Sequence, residues 1–438
     1  MKKVQKYIIS FLIISLSLFI LQNLVARIPK KLTEQNIKES IVYYQNIGGH
    51  SELFNITKTP LKYSFQVDNY SECIILNMIW NLEPTFTSQI KMNYYEEYEG
   101  GVSCDSLIKA VEENKEGTTE YSRYWHGSIT IIKPLLIFFN VNQIRILLSI
   151  IIIILTIYLT VIMFKKSKLL AIFYILGLLS INFFTIFFCL EYYFVFLITT
   201  IISIITIKTI DKNDSFFYFL LLISGITTCY FDFLTCETLS LTIPLLIRTI
   251  LKNKNYDKKK YLIFFFKSCL IWLLSYAFMF VLKWLLSIIV LGFDQMIEIW
   301  SDARLRIYKT DYDNPVPYIL SMLINMPSYL LPFALSQKSI IYIFIYTLIL
   351  IWLYIFCLDK KSQKTSKKLL LICIIPITRY LVLYSHALIH YFFDYRALLP
   401  IVIVTLYILY GGIKNEVNNL NTMLKRRRNN CQSHKSRS

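Results

Sequence analysis

Apolar residues in this chain come in long blocks separated by short polar breaks. Segments near 8–26, 143–164, 169–187, 191–209, 215–230, 238–251, 262–291, 340–358, 369–385 and 396–412 are dominated by Ile, Leu, Phe and Val. Several reach roughly 17 to 25 residues, the length a helix needs to cross about 30 Å of hydrocarbon. The pattern predicts an all-α polytopic membrane protein with about ten transmembrane helices. An even number of crossings leaves both termini on one side.

Two blocks need separate treatment. The first, IISFLIISLSLFILQNLVA after MKKVQK, is longer than a signal-peptide core and meets no small-x-small motif before ARIPKK, so it is expected to stay as an anchor. The stretch VPYILSMLINMPSYLLPFAL (316–335) is apolar enough to be an eleventh crossing, but Pro327 and Pro332 interrupt any helix there. It is expected to be a re-entrant or interfacial element, where irregular backbone must be satisfied by protein or water.

Charge sharpens this topology. Of 438 residues 55% are hydrophobic and 16% aromatic, and the net charge is +18. The Lys and Arg residues gather in KKSK (165–168), KNKNYDKKK (252–260), DKKSQKTSKK (359–368) and a tail with KRRR (425–428). That is the pattern of cytoplasmic loops, so the charge reports orientation and contact with anionic lipid, and no nucleic-acid partner is expected. The break from Arg27 to Ser128 is different: 14 acidic residues face 10 basic ones. At about 100 residues it is too long for a connector. Helical patterning in LTEQNIKESIVYYQN and SECIILNMIWNL predicts helices lying at the outer membrane surface. The chain thus divides into 1–26 (cytoplasmic end and first transmembrane helix), 27–128 (extracytoplasmic loop), 129–412 (multi-helix membrane domain) and 413–438 (basic cytoplasmic tail). Residue usage rich in Ile, Lys, Asn, Tyr and Phe matches an AT-rich bacterial genome, hence a bacterial plasma membrane.

Of nine cysteines, six lie in or beside apolar blocks and read as small hydrophobes. Cys73 and Cys104 share the large loop, where an oxidising compartment permits a disulfide.

Three constellations carry candidate chemistry on the outer side. In VDNYSECIILNMIWN, Asp68 and Glu72 are four apart and share a face if both are helical. They suit a general base or a cation-holding pair; equally, Asp68 or Asn69 suits an N-cap with Glu72 in the first turn. In YSRYWHGSITIIKPLL, Arg123 and His126 can hold phosphate oxygens, while Tyr124 and Trp125 suit a headgroup-level belt or stack on a sugar face. In YSHALIHYFFDYRALLP, His386, His390 and Asp394 follow a spacing of four with Arg396 behind. This set suits a divalent cation such as Mg or Mn, or a phosphate held by two imidazoles and a guanidinium. Arg304 and Arg306 are further phosphate candidates in a loop that also holds Asp302, Lys309, Asp311 and Asp313, and Asp232 and Glu237 are additional acidic candidates. The chain lacks GxxxxGK[ST], GxSxG, HExxH and GxGxxG, so nucleotide hydrolysis, serine hydrolysis and zincin chemistry have no support.

A long acidic first outer loop, a cytoplasmic N-terminus and about ten crossings resemble the GT-C class of membrane glycosyltransferases. The segments DNYSECIILN, RYWHG with KPLL and QIR, and HALIHYFFDYR are similar to those of multi-spanning proteins of Firmicutes. The resemblance implies transfer of a sugar from a polyprenyl-phosphate carrier to a cell-surface glycan or glycolipid. Asp68, with Glu72 second, would act as base, and Arg123, His126 and Arg396 would neutralise the leaving phosphate. The chain departs from the class in having no acidic pair directly after the first span, where ARIPKKLTEQ supplies only Glu34. The alternatives are a capsule or O-antigen polymerase, a transporter and a non-catalytic assembly protein.

Overall fold

The computed structural model describes residues 2–45, 50–52, 60–98, 101–307 and 314–435. Lys309, Asp311 and Asp313 lie outside them, as do the side chains of the basic tail. Apart from a two-stranded ladder of three residues a side (His50–Glu52 against Gln66–Asp68), the regular structure among them is helical.

Among the described residues seven helices are long and apolar enough to cross a membrane, beginning with Val4–Ala26 and ending with Tyr391–Val417, so the chain is a polytopic helical membrane protein. Ten were expected. Three of the expected spans fall short for physical reasons. Lys168–Ser180 and Leu239–Leu251 have 13 residues each, about 20 Å at the helical rise. Lys360–Val382 has the length, but its first turns are the polar run KKSQKTSKK.

Burial separates the helices into a centre and a lipid-facing ring. The Leu190–Lys208 helix is buried along most of its length, between Leu239–Leu251, Val141–Lys166 and Asp214–Phe231. The Lys2–Ala26 and Ser339–Trp352 helices carry open stripes instead (Ile8, Leu12, Leu16; Ile341, Phe344, Leu348), as lipid-facing surfaces do. Close helix approach fixes one glycine: a Cβ on Gly225 would meet Ser275 Oγ at 2.1 Å and the Trp272 carbonyl at 2.6 Å across the facing helix.

The polar segments sort to two ends of the bundle. At one end, Arg248 and Lys252 both donate to the Lys212 carbonyl (2.9 and 2.6 Å), and Lys368 donates to the carbonyls of Lys254 and Tyr256. The loops 209–214, 252–260 and 359–368 therefore cluster. At the other end sits the long loop with 231–238 and the segment 316–335. That last segment forms a ten-residue helix, Val316–Asn325, followed by 3-10 turns at Met326–Tyr329 and Phe333–Leu335. It is pinned by reciprocal hydrogen bonds between Ser180 and Leu331.

The long loop departs from the expected surface helices. Asn69–Asn81 is buried from Cys73 through Trp80, because Lys30–Gln45, Ser103–Glu112, Ile129–Leu135 and the central membrane helix all pack on it. Two buried lysines tie the loop down by ending helices: Lys133 donates to the carbonyls of Ala26 and Leu82, and Lys283 to that of Ile90. Cys73 and Cys104 are joined by a disulfide with Cα atoms 5.0 Å apart, clamping Asn69–Asn81 to Ser103–Glu112. Closing a loop of 31 residues removes unfolded-state entropy worth roughly 3–4 kcal/mol. Replacing Cys73 by Ser is therefore expected to lower the thermal midpoint of the detergent-solubilised protein by several degrees. In the unsubstituted protein, thiol labelling of these two positions should require prior reduction.

Candidate active site

The site is built from the point where the Gln66–Asp68 strand turns into the Asn69–Asn81 helix. Asp68 is the N-cap: it accepts from the Ser71 amide at 3.1 Å and from Ser71 Oγ at 2.9 Å. Capping holds Asp68 outside the helix, so it does not share a face with Glu72. Asp68 lines a cavity of about 310 Å³ at the loop-bearing end of the bundle.

Glu72 points the other way, into the protein. It accepts from Tyr44 Oη at 2.9 Å, from Arg145 through Nε and Nη2, and from the Leu190 amide at the start of the central helix. Its side chain has no exposed surface. This is a structural ion pair, and it positions the next residue, Glu191, on the cavity wall beside Asp68 and Ser71, within hydrogen-bonding reach of both.

Two guanidinium groups line the same cavity. Arg123 pairs with Asp302 at 2.5 Å, its guanidinium carbon lies 4.4 Å from the Tyr121 ring centroid, and its buried Nε has no hydrogen-bond partner among the described residues. Arg306 bonds to Tyr124; the guanidinium is held charged by the Tyr124 and Tyr121 hydroxyls despite its burial. Tyr124 and Arg306 line the cavity, whereas Arg304 faces solvent on the same helix and does not.

Trp125 and His126 stand behind this wall. Trp125 donates to the Met279 carbonyl at 2.8 Å. His126 has a left-handed φ of 53° and bonds through Nε2 to the Tyr121 carbonyl at 2.7 Å. Burial, with Lys283 nearby, pushes its pKa down to about 3, so the ring is neutral and shapes the turn without charging a phosphate. Gly127 follows because its amide donates to the Tyr230 carbonyl at 2.8 Å, and a Cβ would sit 2.3 Å from the Tyr230 ring.

His386 and His390 form the third wall, with ring centroids 4.5 Å apart. Asp394 does not complete a metal set with them. Both its oxygens accept from Arg379, at 2.8 and 2.7 Å, while His386 Nδ1 is 3.6 Å away. A cation would have to displace a bidentate guanidinium, and no cluster of three or more metal-ligating groups occurs among the described residues. Arg379 also binds Glu237 at 2.8 Å, which keeps Glu237 out of the cavity. Asp232 is turned inward to cap Thr235, and burial and the neighbouring Glu237 raise its pKa to about 7. Arg396 is buried behind the site, 4.8 Å from the Tyr192 ring centroid, and donates to the Phe392 carbonyl.

Of the residues singled out from the sequence, the cavity thus gathers Asp68, Arg123, Tyr124, Arg306, His386 and His390. It turns Glu72, Trp125, His126, Asp232, Glu237, Asp394 and Arg396 to supporting positions, and leaves Arg304 outside. Glu191 was missed as a candidate. Its signal was a lone carboxylate opening an otherwise uncharged apolar block, LEYYFVFLITTIIS. Arg379, alone within LICIIPITRYLV, carried the same kind of signal. Phe233, Phe392 and Phe393 also line the cavity, and nothing in the sequence pattern separates them from core aromatics. Comparison with protein-family models, with curated proteins and with solved structures yields no match to this chain.

Two outcomes follow from these placements. Glu72→Gln leaves buried Arg145 without its counter-charge and should lower stability by about 3–5 kcal/mol, and the apolar pair Glu72→Leu with Arg145→Met should recover much of it. Purified variants in detergent would be compared by chemical unfolding. For His126, the folded pKa of about 3 lies below the unfolded 6.5, so the unfolded chain binds more protons and stability is lost as pH falls from about 6.5 towards 3. His126→Asn should remove about 1.4 kcal/mol per pH unit from that slope.

Proposed function

We propose that this protein is a membrane glycosyltransferase of GT-C-like architecture that moves a sugar from a polyprenyl-phosphate donor to a cell-surface glycan or glycolipid. The observation that carries the reading is one cavity at the loop-bearing end lined by both carboxyl groups (Asp68, Glu191) and guanidinium groups (Arg123, Arg306) together with two imidazoles. Sugar transfer from a phosphate needs these two functions in one site. A carboxylate takes the proton of the acceptor hydroxyl while the hydroxyl oxygen bonds to the sugar carbon. The bond from that carbon to the phosphate oxygen breaks, and its electron pair stays on the phosphate, whose growing charge the arginines neutralise. At about 310 Å³ the cavity is at the small end for ligand sites, which suits a sugar-phosphate headgroup whose lipid chain stays in the bilayer.

Orientation is part of the proposal. The disulfide in the long loop favours an oxidising compartment, and the clustered lysine-rich loops at the other end favour the cytoplasm. The three shorter or more polar helices, counted with the seven longer ones, alternate between the same two ends. That alternation supports ten crossings, cytoplasmic termini and an extracytoplasmic cavity in a bacterial plasma membrane. A donor used outside is lipid-linked, since nucleotide sugars are kept inside.

Comparison of surface glycans from a deletion strain and its parent tests the activity, and unchanged glycan there overturns it. Asp68→Asn, at unchanged protein level, should reduce the modification at least a hundredfold.

A further inference from the structure

Glu191 and Asp68 reach the cavity from different parts of the chain, one opening the central membrane helix and the other capping Asn69–Asn81. Their carboxyl groups adjoin, and both side chains are almost fully buried, at 4% and 2% exposure. Glu191 Oε2 is completely buried, yet among the described residues no hydrogen-bond donor faces it. Two carboxylates in contact repel, and a buried oxygen without a donor is costly. One proton between the two groups resolves both problems.

Polar groups from several elements approach the pair. From the helix after Asp68 comes Ser71, whose amide and hydroxyl donate to Asp68 and whose hydroxyl also reaches Glu191, leaving Oε2 without a donor. From the central helix come Tyr192 and, preceding it, Cys189, whose thiol is directed at the Asp68 carbonyl. Asp232 approaches from the 231–238 turn and adds negative charge. Glu72 is taken up by Arg145, Arg396 lies against Tyr192, and Arg123, Arg306 and Tyr121 line the same cavity.

We propose that Asp68 and Glu191 work as one hydrogen-bonded carboxyl pair with a single shared proton, and that the pair, rather than Asp68 alone, receives the proton of the incoming hydroxyl. The pair holds one negative charge at rest. On transfer it takes up the hydroxyl proton and becomes neutral as the phosphate becomes more negative, then returns one proton to water. Total charge in the buried site is conserved through the step. The catalytic half of this proposal rests on the glycosyl-transfer reading; the pair itself does not.

Infrared difference spectroscopy of the purified protein, titrated from neutral to alkaline pH, tests the pair without any assay of activity. The expected result is a protonated-carboxyl C=O band at neutral pH that is reduced equally in Asp68→Asn and Glu191→Gln and retains the pair's contribution in Asp232→Asn. A Glu191→Gln spectrum identical to the parent's overturns the pair. In cells, Glu191→Gln should cut glycan modification at least tenfold. The band lost in both variants with glycan modification unchanged leaves the pair standing and overturns its catalytic role. Glycan unchanged even in the deletion strain overturns the glycosyl-transfer reading itself.

Discussion

Glu72 is the residue through which the long loop and the membrane helices become one structure. Completely buried, it satisfies Arg145 at the start of one membrane helix and the Leu190 amide at the start of another, and it accepts from Tyr44 of the loop's first helix. A carboxylate in this setting is stable only with its partners in place, since the loss of one partner leaves an uncompensated charge away from water. The arrangement is therefore close to all-or-none. It also determines where Glu191 stands, because the same contact fixes the first turn of the helix that carries it.

The same logic recurs around the cavity. Arg379 joins Glu237 and Asp394 in a second buried network that backs the histidine wall. Lys133 and Lys283 end helices by donating to carbonyls of their last turns. Each of these groups looks, in isolation, like a candidate for chemistry. Each is instead engaged by a partner away from the cavity. Among the described residues, Arg123 Nε and Glu191 Oε2 on the cavity wall have no hydrogen-bond partner.

The blocks of apolar residues led directly to the membrane class and to most helix positions, since length and hydropathy are local properties. They overcounted helices long enough to cross, because 169–187 is broken at Asn182, where φ turns positive, and continues only as a 3-10 turn. The SECIILNMIWNL segment was legible as a helix but not as a buried one. Its cover comes from four elements scattered from residue 30 to residue 208.

Sequence alone determined which residue types were present at the loop-bearing end and that charge would be segregated between the two ends, because hydropathy and charge act along the chain. It did not decide between Asp68 and Glu72. Their spacing of four suggested a shared face, but a cap residue stands outside its helix, and the partners that claim Glu72 lie 73 and 118 residues further along. Tertiary structure alone decided which carboxyl faces the cavity, which is neutralised, and that Glu191 belongs beside Asp68. Burial and pairing are properties of neighbours in space, and those neighbours are distant in sequence.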